Sequence, residues 1–450
     1  MYRKQIDYIH DWFYRKTRKP LIIRGARQVG KTTTVTLAAK KLDVELIAIN
    51  LEDQHSFLSE IPKNDPRSIF ELIALSRGMT SFDPEKVIFF FDEAQEHPEI
   101  IPFLRYCYEK APEYHVILTG SLLEFVLNSP DFSFPVGRIE FLFMGPMTFS
   151  EYLYGINQGA LADKLKTFSL TQPVSEALHQ IYLQHQRTYT ITGGMPEAVK
   201  VYRDTQSWLE VARIKESILE TYQADFGKYY KRANTDAIRQ VFKKIPLTLG
   251  NKTIYSKLIE GGRTETVKKA LEALELARVV SLCVHTAGNG LPLATEQKNN
   301  HFKTFFLDIG LVMSVMGLQI DAIPNDLNSI ASGAIAEQFI AQHLLDDREL
   351  FQKPQLYYWQ RQKQGSISEI DFLTRYKNHV IPIEVKSGAA GSMKSLQVFI
   401  RLKQEKPPFA LRFLENLPES KTVLNKETGH QYQLISLPHY LVEYWRSFVE

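Results

Sequence analysis

The run Gly25-Ala26-Arg27-Gln28-Val29-Gly30-Lys31-Thr32 carries the strongest chemical signal in the 450-residue chain. Its two glycines let backbone N–H groups come close to an anion, and the lysine and threonine at its end supply an ammonium and a hydroxyl. The apolar run Leu21–Ile23 precedes it and a helical stretch follows from Thr32, so the loop stands at a strand-to-helix turn where the helix N-terminus favours negative charge. The spacing predicts a cradle for ATP, with Gly25 to Thr33 around the phosphates, Lys31 on the terminal phosphates and the Thr32 hydroxyl on Mg2+. Asp92 and Glu93 end the five-residue apolar run Val87–Phe91, at the carboxyl end of a strand, where open α/β sheets bind ligands. Asp92 is expected to hold the magnesium and Glu93 to polarise the attacking water, although adjacent carboxylates at a strand end also occur as solvated loop charges. His115–Ser121 closes another buried strand with small polar residues, which sets Thr119 or Ser121 beside that water. Arg138 follows at a distance suited to a subunit edge, where it would stabilise charge on the transferred phosphoryl group; an ordinary surface arginine is the competing reading.

A second set of such residues lies near the other end of the chain. In SEIDFL and PIEVKSG, strand alternation sets Glu384 and Lys386 on one face and Ile383 and Val385 on the other, with Asp371 offered by the neighbouring strand. Asp371 and Glu384 in that arrangement could hold a divalent metal while Lys386 orients or activates water at a phosphodiester. Glu337, on the preceding helix, could add a ligand, and Glu369 shares the face of Asp371. The alternative is a salt-bridged strand pair in which Lys386 neutralises the acids.

Charge singles out a third region. Residues 228–278 hold twelve Lys/Arg against five Asp/Glu, a net +7, so the rest of a chain whose formal charge is +3 carries −4. Within it TIYSKLIEGGRTETVKKALEAL reads as a helix, a turn at Gly261 and Gly262, and a second helix capped by Thr264. Val267, Leu271 and Leu274 recur at helical spacing, which buries one face and turns Lys268 and Lys269 outward; Lys243 and Lys244 add to the same basic segment. A hairpin around HTAGNGLP follows, completing a winged-helix order that suits phosphate contact with DNA or packing between domains.

The elements that must position these groups can be read from periodicity. Residues 20–125 alternate short apolar runs with helical stretches, the pattern of a parallel sheet; 150–230 is helical, broken at TQP and TGGMP; 330 onward opens with a helix through AIAEQFIAQHLL and continues in strands at QLYYWQ, EIDFLTR and HVIPIEV. At 44% hydrophobic and 23% charged residues, the composition is that of a folded globular chain and excludes wholesale disorder. Cys107 and Cys283 lie far apart without a partner motif, which suits a reducing cytoplasm. The charged N-terminal stretch does not read as a signal peptide, and no run is long and apolar enough for a membrane helix, so no membrane partner is expected.

GARQVGKTT, FFFDEAQ, LTGS, PVGR, TGGMPEAV, the helix–turn–helix with its hairpin, FFLDIGLV and EIDF…PIEVKSG, in this order over nearly the whole chain, resemble bacterial and archaeal AAA-superfamily ATP-binding proteins that end in a domain of unknown function. The resemblance implies an α/β fold. It sets a P-loop, AAA-like core at 1–150, a helical lid or connector at 151–232, a winged helix at 233–325 and a restriction-endonuclease-like PD-(D/E)XK domain at 326–450. It also implies Lys31, Thr32, Asp92 and Glu93 as nucleotide residues, and Asp371, Glu384 and Lys386 as a nuclease-like core. Glu369-Ile370-Asp371 lacks the preceding proline of the usual nuclease signature, which leaves cutting and mere binding both open. The expectation is a Mg2+-dependent ATPase that engages DNA and assembles with copies of itself, or a nucleotide-dependent switch whose C-terminal carboxylates are structural.

Overall fold

The computed structural model describes residues 1–53, 64–127, 137–229, 234–318, 332–363, 366–388 and 393–449. The domain boundaries expected at 232 and 325 lie outside the described residues. The chain divides into two units: residues 1–145 with Leu276–Arg278 and Glu349–Lys353, and the remainder.

In chain order the first unit contains α1 (Lys4–Tyr14), β1 (Leu21–Arg24), α2 (Lys31–Leu42), β2 (Glu45–Asn50), α3 (Pro66–Ser76), β3 (Val87–Asp92), α4 (Ile100–Lys110), β4 (His115–Thr119), α5 (Leu123–Leu127) and β5 (Glu140–Phe143). The strands form one sheet in the order β2-β3-β4-β1-β5, every neighbouring pair parallel. β3 is apolar at five successive positions and buried at all of them, as an interior strand of a parallel sheet requires. Phe70 of α3 packs on Phe89 and Tyr114 at centroid distances of 4.4 and 4.6 Å, tying a helix to the strand that ends in Asp92. Ile23 pairs with Thr119 and Phe91 with Leu118, so the carboxyl ends of β1, β3 and β4 are level. This is the parallel-sheet α/β fold expected for this part of the chain.

The second unit opens with helices α6 (Phe149–Gly155), α7 (Gly159–Leu165), α8 (Glu176–Thr192), α9 (Pro196–Thr205), α10 (Trp208–Tyr229), α11 (Thr235–Lys244), the single turn α12 (Tyr255–Leu258) and α13 (Thr264–Leu276). It continues with β6 (Val280–Thr286), β7 (Gln297–Phe306), α14 (Ile309–Val315), α15 (Ser332–Asp346), β8 (Leu356–Lys363), β9 (Ser366–Tyr376), β10 (His379–Val385), α16 (Lys394–Leu402), β11 (Phe409–Leu414), β12 (Glu419–Leu424) and β13 (Gln431–Pro438). Val267, Leu271 and Leu274 are buried along α13, as their spacing predicts, but the helix starts at Thr264 itself and not after it, so Thr264 is a first-turn residue and not the cap. The mixed sheet runs β12-β13-β11-β10-β9-β8-β6-β7. The hairpin β6–β7 therefore belongs to the same sheet as the C-terminal strands, joined through the parallel register Cys283 to Leu356. α15 is fastened to the edge of β7 by the Gln338 side chain, which accepts from the Phe306 N–H at 2.9 Å and donates to its carbonyl at 2.8 Å.

The TGGMP turn and the LDIG segment, two motifs with no chemistry of their own, prove to be one junction. Buried Asp308 accepts from the N–H groups of Gly194 (2.6 Å) and Leu311 (3.1 Å) and from Gln342 (3.3 Å). Gly193 lies at φ +78°, and a Cβ there would stand 2.1 Å from Asp308 Oδ1. Only glycine fits.

Candidate functional site

The loop between β1 and α2 holds its lysine inward. Lys31 is buried and donates to the carbonyls of Gly25 (3.0 Å) and Ala26 (2.8 Å), inside the turn formed by Arg27, Gln28, Val29 and Gly30. A Cβ on Gly25 would lie 2.2 Å from the Met144 carbonyl, so the turn needs glycine where it passes the backbone after β5. The α2 ladder begins with the Thr34 N–H to Gly30 carbonyl bond at 2.9 Å, which leaves the N–H groups of Lys31, Thr32 and Thr33 ahead of the first ladder donor. These donors and the helix dipole suit a phosphate. Burial lowers Lys31 to about 8, against the pull of Glu93 and Asp92, with Arg27 and Arg278 adding to the lowering. Near neutral pH it still carries its proton.

At the ends of β3 and β4 the polar groups converge. The Thr32 hydroxyl donates to Asp92 Oδ2 at 2.6 Å, and the Thr119 hydroxyl donates to Asp92 Oδ1. A hydroxyl and a carboxylate at the mouth of a phosphate loop are the hard oxygen donors that Mg2+ takes, so the residues fit that ion. Glu93, at φ +52°, is turned away from the strand, and its Oε2 accepts from Gln95 Nε2 (2.7 Å), Ser121 Oγ (3.1 Å) and the Ser121 N–H (3.4 Å). Burial pushes the Glu93 carboxyl up, but Gln95, Lys31 and Ser121 outweigh it and hold the group below the usual carboxylate range. It is an ionised acceptor beside the nucleotide loop, the state a water-polarising group requires.

Sequence reading missed the polar cluster behind this loop. Glu124 accepts from Arg24 and from Arg278 Nε (2.7 Å), and both guanidinium groups lie over the Phe143 ring at 5.1 and 4.8 Å. Burial favours the neutral acid, but the two arginines keep Glu124 ionised. Arg278 is far away in sequence, and only the fold brings it here.

Arg138 stands apart from these groups. Glu140 pairs with Leu21 and Phe143 with Arg24, so strand polarity puts Arg138 at the amino-terminal edge of the sheet and the phosphate loop at the carboxyl-terminal edge. The four residues of β5 span about 13 Å between those edges. The Arg138 side chain, 44% exposed, pairs with Glu109 Oε1 at 3.1 Å. It is not beside the phosphate loop of its own chain.

The C-terminal acids do come together, around a cation that the sequence did not reveal. Lys303 of β7 is fully buried and pairs with Glu337 Oε2 at 3.0 Å, with Glu369 Oε1 and, at 3.9 Å, with Asp371 Oδ1. The Val385 N–H donates to Asp371 Oδ2 at 2.7 Å, and Lys386 pairs with Glu384 at 2.7 Å. Burial pushes Glu337 up to about 8 and Glu384 up to about 7. Burial also opposes the charge on Lys303, but Glu337, Asp371 and Glu369 overcome it and hold the ammonium well above its ordinary value. Among the described residues, no group of three or more His, Cys, Asp or Glu side chains is disposed to hold a metal ion. As the groups stand, the cluster does not fit a divalent ion at Asp371 and Glu384.

In the basic segment Lys268 and Lys269 point outward, paired along α13 with Glu272 (3.8 Å) and Glu265 (3.3 Å); Lys243 and Lys244 are exposed at the end of α11. No helix among the described residues is long and apolar enough to cross a membrane.

Residues 17–153, which carry the phosphate loop and the β3 carboxylates, match the family model described as "AAA domain". Residues 183–322 match "Domain of unknown function (DUF8612)" and residues 332–440 match "Domain of unknown function (DUF4143)". Among curated proteins none matches the chain. Solved structures that it resembles include the Walker-type ATPase PABY2304 of Pyrococcus abyssi, at 14% identity and a TM-score of 0.42 over 70% of this chain and 95% of that one. The ORC2 protein of Aeropyrum pernix follows, at 12% identity and a TM-score of 0.37 over 70% and 93%. The RuvB Holliday junction branch migration motor of Thermotoga maritima matches at 15% identity and a TM-score of 0.29 over 62% and 89%.

Proposed function

We propose that this chain binds and hydrolyses MgATP in its N-terminal unit and uses the nucleotide state to control engagement of DNA by its basic middle segment. The observation that carries the reading is the 2.6 Å pairing of the Thr32 hydroxyl with Asp92, between the buried Lys31 and the ionised Glu93. On this reading Lys31 meets the β- and γ-phosphates, Thr32 and Asp92 hold Mg2+, and Glu93 orients water while Gln95 and Ser121 fix its carboxylate. An ion held by Thr32 and Asp92 would supply positive charge against the phosphate oxygens. Arg138, from the far edge of the sheet, completes the site of a neighbouring copy in a homo-oligomer. Lys243, Lys244, Lys268 and Lys269 meet phosphates of duplex DNA. Free, buried Cys107 and Cys283 suit a cytoplasmic setting. ATP turnover measured with and without duplex, single-stranded and branched DNA tests the reading; no turnover under any of these conditions would contradict it.

A second reading is favoured by Lys303. A buried ammonium among Glu337, Glu369 and Asp371 suits a C-terminal region that is structural, with the whole chain acting as a nucleotide-dependent switch. Plasmid cleavage in Mg2+, present in the wild type and lost in Lys386→Ala, would contradict this second reading.

A further inference from the structure

An arginine stands where a helix commonly ends in glycine. The Val279 N–H bonds back to the Leu274 carbonyl at 3.0 Å, closing the last turn of α13, and Arg278 just before it lies at φ +57°. A left-handed residue at that place is usually glycine because a Cβ there is strained, so an arginine needs an interaction that holds it. One comes from the first unit, to which Leu276–Arg278 belongs although the chain on either side of it does not. Arg278 Nε donates to Glu124 Oε1 at 2.7 Å, and the guanidinium lies 4.8 Å from the centre of the Phe143 ring.

Glu124 gathers more than this link. The same buried Oε1 accepts from Arg24 Nε at 2.7 Å, and Arg24 is the residue before Gly25, where the phosphate loop begins. Its helix α5 opens two residues after Ser121, whose hydroxyl and N–H fix Glu93. One carboxylate therefore ties together the start of the loop, the segment behind Glu93 and the end of α13. Burial lowers the Lys31 ammonium, and Arg278 is close enough that its charge adds to the lowering, so charge arriving at the loop is felt at Arg278. We infer that Glu124 and Arg278 couple nucleotide occupancy of the phosphate loop to the end of α13: phosphate charge at the loop draws the guanidinium from Glu124, and the helix cap strained at Arg278 loosens. The inference rests on nucleotide binding at that loop, as proposed above, and adds the route by which occupancy reaches the helix that carries Lys268 and Lys269.

Amide hydrogen exchange read by mass spectrometry on the full-length protein, with and without Mg2+ and the non-hydrolysable analogue AMP-PNP, reports the loop and the link together. In the wild type the nucleotide should slow exchange over residues 25–34 and speed it over residues 274–279 by about fivefold or more, the lower end of usual coupling between sites. In Arg278→Gly and in Glu124→Gln the loop should still be protected while the response at 274–279 is lost. Arg278→Gly separates the charge from the cap, because glycine accepts the positive φ without the guanidinium. Arg278→Lys, which keeps the charge, should recover part of the response, and it decides with Arg278→Gly if Glu124→Gln does not fold. Protection of the loop with no change at 274–279 in the wild type would overturn the inference and leave nucleotide binding standing. So would a full response in Arg278→Gly. Absence of protection at the loop itself would sink the nucleotide reading, and this inference with it.

Discussion

On the proposed function Glu93 and Lys31 divide the work at the phosphate loop by charge state, and each makes a distinct prediction. Glu93→Gln keeps the shape and the neighbours Gln95 and Ser121 but removes the carboxylate that orients water. ATP affinity should therefore hold within a few-fold while turnover falls roughly 100- to 10,000-fold, the range for losing a general base, as read by equilibrium binding and phosphate release. Lys31 titrates near pH 8 in the free protein because it is buried. Below that value the ammonium is present and affinity should be flat. Above it the neutral amine dominates, and the dissociation constant for ATP should rise by up to about tenfold per pH unit. A dissociation constant that does not change between pH 7 and pH 9.5 would show that the Lys31 charge is not what holds the phosphates. The loop with Lys31 and Thr32, and the Asp92-Glu93 pair at the end of an apolar run, could each be picked out of the sequence because each is a local pattern, and the fold brings the Thr32 hydroxyl onto Asp92. Gln95, Arg278 and Lys303 could not be. Their roles depend on what the fold places opposite them, and nothing in the residues around Lys303 distinguishes it from the exposed Lys298 on the same strand.

Among the elements, β1 to β4, β6 to β10 and helices such as α2, α8 and α13 could be anticipated from apolar runs and helical periodicity, whereas β5 and β11 to β13 were not. The joining of β6–β7 to the C-terminal sheet could not. Cys283 meets Leu356 across a long stretch of chain, and that pairing leaves no local pattern. The glycines show the same limit. Gly193 and Gly429 both have positive φ, +78° and +68°, but a Cβ at Gly193 would strike Asp308 whereas one at Gly429 meets nothing within 4 Å. Gly429→Ala should cost about 1 kcal/mol of backbone strain, and Gly193→Ala clearly more, since it also displaces the acceptor of the Gly194 and Leu311 N–H groups. Urea denaturation of the two variants compares them directly; equal losses would remove Asp308 from its role as the pin of this junction. The outward lysines of α11 and α13 make an electrostatic prediction. Replacing Lys243, Lys244, Lys268 and Lys269 by alanine should flatten the dependence of log affinity for duplex DNA on log salt by up to about 3.6, at about 0.9 for each phosphate no longer neutralised. The surface pairs of Lys268 and Lys269 contribute little to stability, so the variant should fold. A folded variant with the wild-type salt slope would leave these helices as a spacer.

The whole-molecule question is whether one copy suffices. Strand polarity leaves Arg138 at the sheet edge opposite the phosphate loop, so any catalytic role for it requires a second chain. Arg138→Ala should then lose turnover while keeping ATP affinity, and wild-type turnover per chain should rise with protein concentration until assembly saturates. A rate per chain independent of concentration, and unaltered by Arg138→Ala, would make the arginine an ordinary surface partner of Glu109. Beneath the question of assembly stands a narrower claim, that residues 1–145 form a working ATPase through Lys31, Asp92 and Glu93. Its decisive measurement is steady-state phosphate release from MgATP, followed side by side for the wild type and Glu93→Gln at matched nucleotide occupancy. Measurable release by the wild type and near-background release by the variant, despite bound ATP, is the expected result; equal rates from the two proteins, or none from either, would contradict the claim.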